Sequence, residues 1–352
     1  MNATVTQCAL AAARAVPIAD REQLDLVDLA GDLAARAASY ANAAKAPNTQ
    51  RGYRSDWRAF EAWCGAHGVD AMPAASETVV AYLVAHAGAL KVSTLRRRLA
   101  AIRECHRSGG VEIDTGSTMF RDTWKGIRRT HGRPADKRAP LLTAGLRRAL
   151  ATLPASLQGQ RDRALLLIGF GGALRRSELA RLEITPRDGA NWIEETAEGL
   201  IVHLGRAKTD QEGRGEQVAI PFGTHIETCP PRAYRAWLLA SGIQSGPAFR
   251  PIDRHGRMNC NAISDGAIAR IVKRTVVAAA IADGMTELEA AAHAARFSGH
   301  SLRAGLATSA AANDAPGHAI QRQLRHRNFN QTAGYIRDGR LFRNNAAGSA
   351  GL

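Results

Sequence analysis

Apolar residues recur at helical spacing over most of this chain and alternate with polar residues in a single stretch. Steps of four, three and four residues separate the members of the first helical stripe, which are Tyr53, Trp57, Phe60 and Cys64. A second stripe repeats the design at Val92, Leu95, Leu99 and Ile102. From Gly199 to Phe222 the period becomes two, which is typical of a β-hairpin. We therefore predict a mainly α-helical fold that contains a small β-hairpin or sheet.

The same pattern places the hairpin strands and the later helices. Apolar residues alternate over 200–204 and 218–220, and turn-forming residues lie at 211–215. We expect further helices over 142–153, 161–171, 231–240, 262–282 and 302–312, and a short one from about Asn330. The hairpin therefore lies inside a helical second half of the chain.

A polar and basic segment broken by proline divides the chain near its middle. The stretch 131–140 contains two prolines and a glycine, which is typical of a linker. At about 150 residues per domain, a chain of 352 residues suggests two domains. The predicted segments are an acidic, alanine-rich N-terminus (1–44), a helical domain (45–130), a basic linker (131–141), a second domain (142–340) and a C-terminal tail (341–352).

The net charge of the chain favours a polyanionic partner. Lys and Arg number 47 against 32 Asp and Glu, which gives a formal charge of +15. Residues 1–44 hold three arginines and five acidic residues, so the positive charge belongs to the body of the chain. We rank nucleic acid first and an anionic membrane surface second. The second partner would call for a long basic helix with Trp and Leu opposite its charges, and we find none.

Composition also argues against a membrane span, a disulfide framework and a zinc site. The longest run of apolar residues and glycine, over 164–174, is eleven residues, whereas about 20 are needed to cross a bilayer. The first seven residues lack Lys and Arg, unlike a signal peptide, so we expect a cytoplasmic protein. The five cysteines are widely spaced and contain no C-x-x-C pair.

Arginines form basic faces on both predicted helices of the first domain. An arginine-rich helix face is often only solvated surface, but two such helices in a chain of +15 favour contact with phosphates. The residues that we place on the DNA side are Arg51, Arg54, Arg96, Arg97, Arg98, Arg103 and Arg107.

The second domain carries polar residues that a plain helical core does not require. Arg175 and Glu178 are three apart, and so are His300 and Arg303, so each pair shares a helix face. Lys208 ends the first hairpin strand. His326 precedes Tyr335 by nine residues. A local salt bridge would explain any one pair, but their order and spacing together point to a site.

This order of residues resembles the tyrosine recombinases, also called phage-type integrases. The layout matches over about 47–343, and the specific motifs lie between Arg175 and Tyr335. The resemblance implies a two-domain architecture that closes as a C-shaped clamp on DNA. Residues 45–130 would be the SAM-like core-binding domain, 142–340 the catalytic domain, and 341–352 a tail that docks on a neighbouring protomer. The expected partners are double-stranded DNA target sites and the protein itself, as a dimer on one site and a tetramer in the synapse.

The resemblance also assigns a role to each matched residue. Tyr335 would be the nucleophile that forms a 3′-phosphotyrosine, with strand exchange through a Holliday junction. Arg175 and Arg303 would hold the phosphate oxygens, and Lys208 would protonate the leaving oxygen. His300 would act as base, His326 would donate a hydrogen bond to the phosphate, and Glu178 would orient its neighbours. Nearby cations should favour loss of the phenol proton. No metal, ATP or other cofactor is implied.

Two other activities are compatible with these residues. A type IB topoisomerase uses a related Arg, Lys and Tyr set to nick and reseal a single duplex. A DNA-binding protein that does not cut is the second alternative. His300, the layout of the first domain and the short tail favour a recombinase, which would act at the nucleoid in the cytoplasm of a bacterium or for a phage or mobile element.

Overall fold

The computed structural model describes residues 47–134, 138–187, 189–205 and 215–341, together with positions 33, 36, 39, 40 and 350. It divides the chain into two compact units, residues 1–136 and 137–352, each with its own apolar core. We call them the N-terminal unit and the C-terminal unit. The predicted segment 1–44 lies almost wholly outside the described residues, and the predicted domain boundaries stay predictions.

Helices make up the N-terminal unit from residue 47 onward. They are α1 (Pro47–Ala66), α2 (Ser76–Ala85), α3 (Val92–Ser108) and α4 (Thr118–His131). The residues of the two predicted stripes that are buried in its core are Trp57, Phe60, Cys64, Leu95, Leu99 and Ile102. The two helices predicted from those stripes are therefore confirmed as α1 and α3, whereas the pattern did not predict α2.

The C-terminal unit is also mainly helical, with one sheet after its third helix. Its first helices are α5 (Thr143–Ala151), α6 (Leu157–Gly171) and the short α7 (Arg176–Ala180). After the sheet come α8 (Pro230–Ser241), α9 (Asp265–Ala282), α10 (Glu287–Ala295), α11 (His300–Ala312), α12 (Gly317–Leu324) and α13 (Phe329–Gly339). The prediction of a mainly α fold with a small sheet is confirmed.

The sheet has four strands in the order β1 (Leu182–Glu183), β2 (Asn191–Glu195), β3 (Gly199–Leu204) and β4 (Glu216–Pro221). Strands β3 and β4 form the predicted antiparallel hairpin, in which Val202 pairs with Val218 and Leu200 with Ile220. All four side chains are buried, because alternate residues of a strand point to the same face. The predicted turn residues 211–214 lie outside the described residues, and β1 and β2 were not predicted.

Helix α6 is the centre of the C-terminal unit. Leu165, Leu166, Leu167 and Ile168 are at most 2% exposed, although they point in different directions around the helix. A helix that is apolar on all sides is stable when it is buried on all sides. Among the described residues, no helix is long and apolar enough to cross a membrane.

Two glycines allow close packing where the site elements meet. A Cβ on Gly169 of α6 would lie 2.9 Å from both Leu179 Cδ2 and Leu302 Cδ1, so α7 and α11 approach the same point of α6. A Cβ on Gly305 would lie 1.9 Å from the carbonyl oxygen of Leu141. These contacts place the Arg175–Glu178 and His300–Arg303 segments beside each other.

Candidate active site

The turn from α6 into α7 holds the first predicted pair. Ala173 has φ 44°, in the left-handed region, and the chain turns there so that Arg175 occupies the N-cap position of α7. Glu178 Oε2 accepts a hydrogen bond from the backbone N–H of Arg175 at 2.7 Å, and Arg175 Nη1 donates to Oε1 at 2.6 Å. The spacing of three residues therefore lets one carboxylate hold both the backbone and the side chain of Arg175.

Glu178 is a buried carboxylate that is held by cations. The residue is 8% exposed, and its second partner is Arg325, whose Nη2 donates to Oε2 at 2.8 Å. Burial alone would raise its pKa, but the charge of Arg325 and the hydrogen bonds from Arg175 outweigh burial and hold the pKa of Glu178 below its ordinary value. The group is therefore an anion at neutral pH.

Arg303 connects the turn before Arg175 to the end of α12. Its side chain is buried, Nη1 donates to the carbonyl oxygen of Ala173 at 2.7 Å, and Nη2 donates to the carbonyl oxygen of Leu324. Burial, followed by the charges of Arg175 and Arg325, lowers the pKa of Arg303 to about 10. The guanidinium stays charged at neutral pH, in a position fixed by two backbone groups.

Tyr335 of α13 lies between two imidazole rings. His300, the first residue of α11, has Nε2 3.1 Å from Tyr335 Oη. The ring of His326 is nearly parallel to the phenol ring, at 23° with centroids 6.2 Å apart. Its Nδ1 is 3.0 Å from the hydroxyl of the buried Thr332. Residues that are 35 positions apart thus meet at one hydroxyl.

Both histidines are neutral at pH 7. Burial lowers the pKa of His300, and the charges of Arg303 and Arg175 lower it further. Burial and the same two guanidiniums, with smaller contributions from His300 and Arg325, lower the pKa of His326 to about 4. A neutral imidazole has one nitrogen that accepts a proton and one that donates. His300 Nε2 can therefore accept the phenol proton.

The phenol itself is protonated at neutral pH, because its pKa lies above the ordinary value of tyrosine. Burial raises the pKa of Tyr335; the charge of Arg303 lowers it, but Asp338 raises it further. The charge of Arg303 thus favours loss of the phenol proton, as expected, but burial of the phenolate outweighs this attraction and the net pKa is raised.

Lys208 lies in the segment 206–214, outside the described residues. Strand β3 ends before that segment, at Leu204, and β4 begins after it, at Glu216. The other six predicted residues lie in two groups of contacts. Arg175, Glu178 and Arg303 meet at the turn before α7. Tyr335 contacts His300 and stacks on His326, and His300 lies one turn from Arg303 on α11.

The predicted DNA-facing arginines of the N-terminal unit differ in exposure. Arg98 is turned inward: its side chain is 18% exposed, Nη1 donates to Tyr82 Oη at 2.6 Å, and Nε lies 3.9 Å from buried Asp56. Arg97 binds the same carboxylate at 2.7 and 3.0 Å, but its side chain stays 55% exposed. The exposed members of the set are Arg51, Arg54, Arg96, Arg97, Arg103 and Arg107.

Sequence reasoning did not identify Arg325 or Thr332. Arg325 is 9% exposed and pairs with Glu178, and Thr332 is fully buried against His326. Their only signal in the sequence is position, since Arg325 precedes His326 and Thr332 lies between His326 and Tyr335. Nothing in the spacing shows that a charged residue next to the motif turns inward.

Comparisons with known proteins identify relatives of this chain. Residues 40–108 match the N-terminal SAM-like domain of phage integrases. An integrase/recombinase, the xerD homolog of Selenomonas ruminantium, is 38% identical over 307 residues, which cover 86% of this chain and 85% of the relative. The fold resembles the Tn1549 transposon integrase in complex with transposon right end DNA, with a TM-score of 0.55, 13% identity, and 87% and 92% of the two chains covered. The fold also resembles a lambda integrase dimer bound to a core site. The TM-score is 0.51 and the identity 14%, and the match covers 85% of this chain and 74% of the lambda integrase chain.

Proposed function

Since the chain belongs to the phage integrase family of tyrosine recombinases and is a site-specific DNA recombinase, we propose that it cuts and rejoins DNA through a covalent 3′-phosphotyrosine on Tyr335. The observation that carries this proposal is the 3.1 Å contact between Tyr335 Oη and His300 Nε2. The charge of Arg303 acts on both Tyr335 and His300, and the charge of Arg175 acts on His300. A nucleophile, a neutral base and two cations are the groups that this reaction requires.

The cleavage step follows from these positions. Tyr335 Oη attacks the scissile phosphorus while its proton passes to His300 Nε2, and the bond from phosphorus to the deoxyribose 5′ oxygen breaks. Arg175 and Arg303 bind the non-bridging oxygens, where negative charge develops. Binding of the phosphate therefore places its negative charge beside the cationic side chains of Arg175 and Arg303.

His326 stabilises the same phosphate as a neutral donor. If the hydroxyl of Thr332 donates to Nδ1, the proton of the imidazole resides on Nε2, which is then free to donate to a phosphate oxygen. Because its pKa is about 4, the His326 imidazole stays uncharged across the physiological pH range.

Lys208 serves as the general acid that protonates the leaving 5′ oxygen. This assignment rests on its place in the sequence between β3 and β4 and on its match to the family pattern. The free 5′-hydroxyl of another cut strand then attacks the phosphotyrosine, the bond to Tyr335 breaks, and the phosphodiester is restored. Because the covalent bond to Tyr335 retains the energy of the phosphodiester, the cycle requires no ATP.

The exposed arginines of α1 and α3 bind DNA phosphates. Since the side chain of Arg98 is bound inside its own unit, we assign it to packing and leave the phosphate contacts to the six exposed residues. If about 6–10 phosphates are neutralised in all, affinity falls by about 10³–10⁵ between 50 and 200 mM salt. We also propose that the two domains clamp the duplex, that two copies occupy one site and four form the synapse, and that the enzyme acts at the bacterial nucleoid.

The C-terminal tail, 341–352, docks on a neighbouring protomer. An apolar groove in the C-terminal unit, lined by Leu167, Phe170, Ile220, Ala310 and Ile320, offers a place for it. The side chain of Leu341 is 59% exposed in its own unit. Truncation after Gly339 should lower the cooperativity of DNA binding in a titration and leave the binding of single copies unchanged. Equal cooperativity would contradict this docking.

An adduct-trapping experiment tests the function. The purified protein is incubated with a pool of random-sequence duplexes, and SDS-resistant adducts are isolated and sequenced. Wild type should form adducts that share a sequence motif, and Tyr335→Phe should form none while it still shifts DNA on a gel. Tyr234→Phe is the control. It also removes a tyrosine hydroxyl from the C-terminal unit, but among the described residues this buried hydroxyl has no hydrogen-bond partner, so the adduct should still form.

The same experiment, together with a plasmid-relaxation assay, separates the alternatives. Adducts without a common motif, together with rapid relaxation of plasmids, would favour a type IB topoisomerase. DNA binding without any adduct would favour a protein that does not cut. An adduct on the Tyr335→Phe variant would contradict the assignment of the nucleophile.

A further inference from the structure

Arg325 has an unusual backbone conformation for a charged residue. It ends α12 with φ 52° and ψ 45°, in the left-handed region that glycine adopts at least cost. Its side chain is 4% exposed, and long charged side chains are rarely buried unless they are paired. A strained backbone and a buried charge at one position require a compensating interaction.

The guanidinium of Arg325 joins three parts of the C-terminal unit. Its Nη2 donates to Glu178 Oε2 at 2.8 Å and to the carbonyl oxygen of Ala173 at 3.3 Å. On another side, Nε lies 4.0 Å from Oε2 of Glu216, the first residue of β4. Among the described residues, Nε, Nη1 and that carboxylate oxygen are buried without a hydrogen-bond partner. Arg325 is therefore tightly bound on the Glu178 side and loosely bound on the Glu216 side.

Glu178 links Arg325 to Arg175. Its Oε1 accepts from the Arg175 side chain, and its Oε2 accepts from both the Arg175 backbone and Arg325. The Arg175 side chain is itself 35% exposed, so it depends on Glu178 for a fixed position. The carbonyl of Ala173, which Arg303 also binds, is the second group that Arg325 shares with the site.

We propose that Arg325 is a positioning residue for strand transfer, which holds the Glu178 carboxylate in place so that Arg175 presents its guanidinium to the scissile phosphate. The proposal rests on the proposed function of the site. Arg325 is buried, and among the described residues no hydrogen bond or ion pair joins its side chain to Tyr335, so it acts through Glu178. Such supporting residues typically change activity by about 10–100-fold when they are replaced.

Removal of the guanidinium would change the ionisation of Glu178. The charged groups that face this carboxylate are Arg175 from its own element, Arg325 from the end of α12 and Arg303 from α11, while Glu216 faces Arg325 from β4. Burial raises the pKa of Glu178, and the charge of Arg325 is the largest factor that opposes it. Without Arg325, the pKa of Glu178 should rise. The protonated carboxyl would then bind the Arg175 side chain more weakly.

Arg325→Gly is the variant that separates positioning from folding. Glycine adopts the left-handed conformation without strain, so the backbone should tolerate the change while the guanidinium is lost. Arg325→Lys keeps a charge but lacks the planar fork that reaches two acceptors. Arg322→Gln, exposed on the same helix, is the matched control for the loss of one positive charge.

The measurement is single-turnover formation of the Tyr335 adduct on the duplex that the wild-type protein selects from a random pool. We expect Arg325→Gly to be about 10–100-fold slower than wild type and Arg325→Lys to lie between them. The acid limb of the pH–rate profile should move to higher pH in Arg325→Gly and much less in Arg325→Lys. Arg322→Gln should keep the wild-type rate and profile.

A double-mutant cycle provides the decisive comparison. If Arg325 acts through Glu178, Arg325→Gly should change the rate by less than about threefold in a Glu178→Gln background. Equal slowing in both backgrounds, or an unmoved acid limb, would overturn the positioning role. Wild-type activity in Arg325→Gly would overturn it while leaving the recombinase function intact, whereas failure of the wild-type protein to form any adduct would overturn both.

Discussion

Arginine serves opposite purposes in the two units of this protein. On α1 and α3 of the N-terminal unit, residues such as Arg54, Arg96 and Arg103 are exposed. In the C-terminal unit, Arg303 is 2% and Arg325 9% exposed. Both donate to backbone carbonyls, and Arg325 also binds the Glu178 carboxylate. The first set supplies positive charge at a surface, and the second supplies directed donors inside a packed core.

The two units differ in how precisely they must position an arginine side chain. A surface charge that attracts a polyanion through solvent tolerates movement, because the interaction is long-ranged and screened. A buried guanidinium that stabilises a transition state must have its N–H groups in place before the reaction. The two sets should therefore respond differently to replacement of arginine by lysine, which keeps the charge and removes the fork.

The largest effect is expected for Arg303→Lys. Lysine cannot reach the carbonyl oxygens of Ala173 and Leu324 and a phosphate at once, so single-turnover cleavage should fall by about 10²–10³-fold. Arg96→Lys, at an exposed position of α3, is the matched control and should stay within about twofold of wild type. Similar losses in both variants would contradict the distinction between the two sets of arginines.

A second prediction concerns the cost of protonating a histidine within the cationic cluster. Burial and the charges of Arg303 and Arg175 lower the folded-state pKa of His326 to about 4, below its ordinary 6.5. Protonation therefore favours the unfolded chain, so this contribution to stability is complete above pH 6.5 and is lost as the pH falls towards 4. His326→Gln should flatten the decrease in thermal midpoint between pH 6.5 and 4.5.

The control for this acid response is His318→Gln, at an exposed position of α12. That variant should keep the wild-type dependence of the thermal midpoint on pH. An unchanged dependence in His326→Gln would show that the buried cations do not determine the acid stability of this unit.

The smallest effect is expected for single exposed arginines. Arg96→Gln and Arg103→Gln should each weaken DNA binding modestly for all sequences and reduce the slope of log affinity against log salt by about 0.9. A fluorescence titration at several salt concentrations measures that slope. A loss of affinity that depends on DNA sequence and leaves the slope unchanged would indicate base recognition instead of phosphate contact.

Regular periodicity predicted the parts of the fold that depend on one buried face. The stripes of α1 and α3 and the alternation of β3 and β4 were visible because each element buries a single side. Strand β2, with the sequence Asn-Trp-Ile-Glu-Glu, buries only Ile193 and gives no such signal. Helix α12 is eight residues long and buries Ile320 and Leu324, too few for a recognisable stripe.

The candidate site was predictable from spacing, but its electrostatics were not. The order of residues carried the resemblance to tyrosine recombinases, which implied that His300 is the base for Tyr335, and the structure places the two in contact. Whether cations or burial control the pKa of Tyr335 depends on desolvation, which a sequence does not contain. Arg325 was missed for a related reason, since its burial results from a left-handed turn at the end of α12.

Gly305 has a consequence for how this protein tolerates change. A Cβ at this position would lie 1.9 Å from the backbone carbonyl oxygen of Leu141. Backbone cannot rotate aside as a side chain can, so a methyl group there would push α11, which carries His300 and Arg303, away from Leu141. In a mutational scan, Gly305→Ala should therefore be poorly tolerated, because the loss of packing would displace residues of the active site.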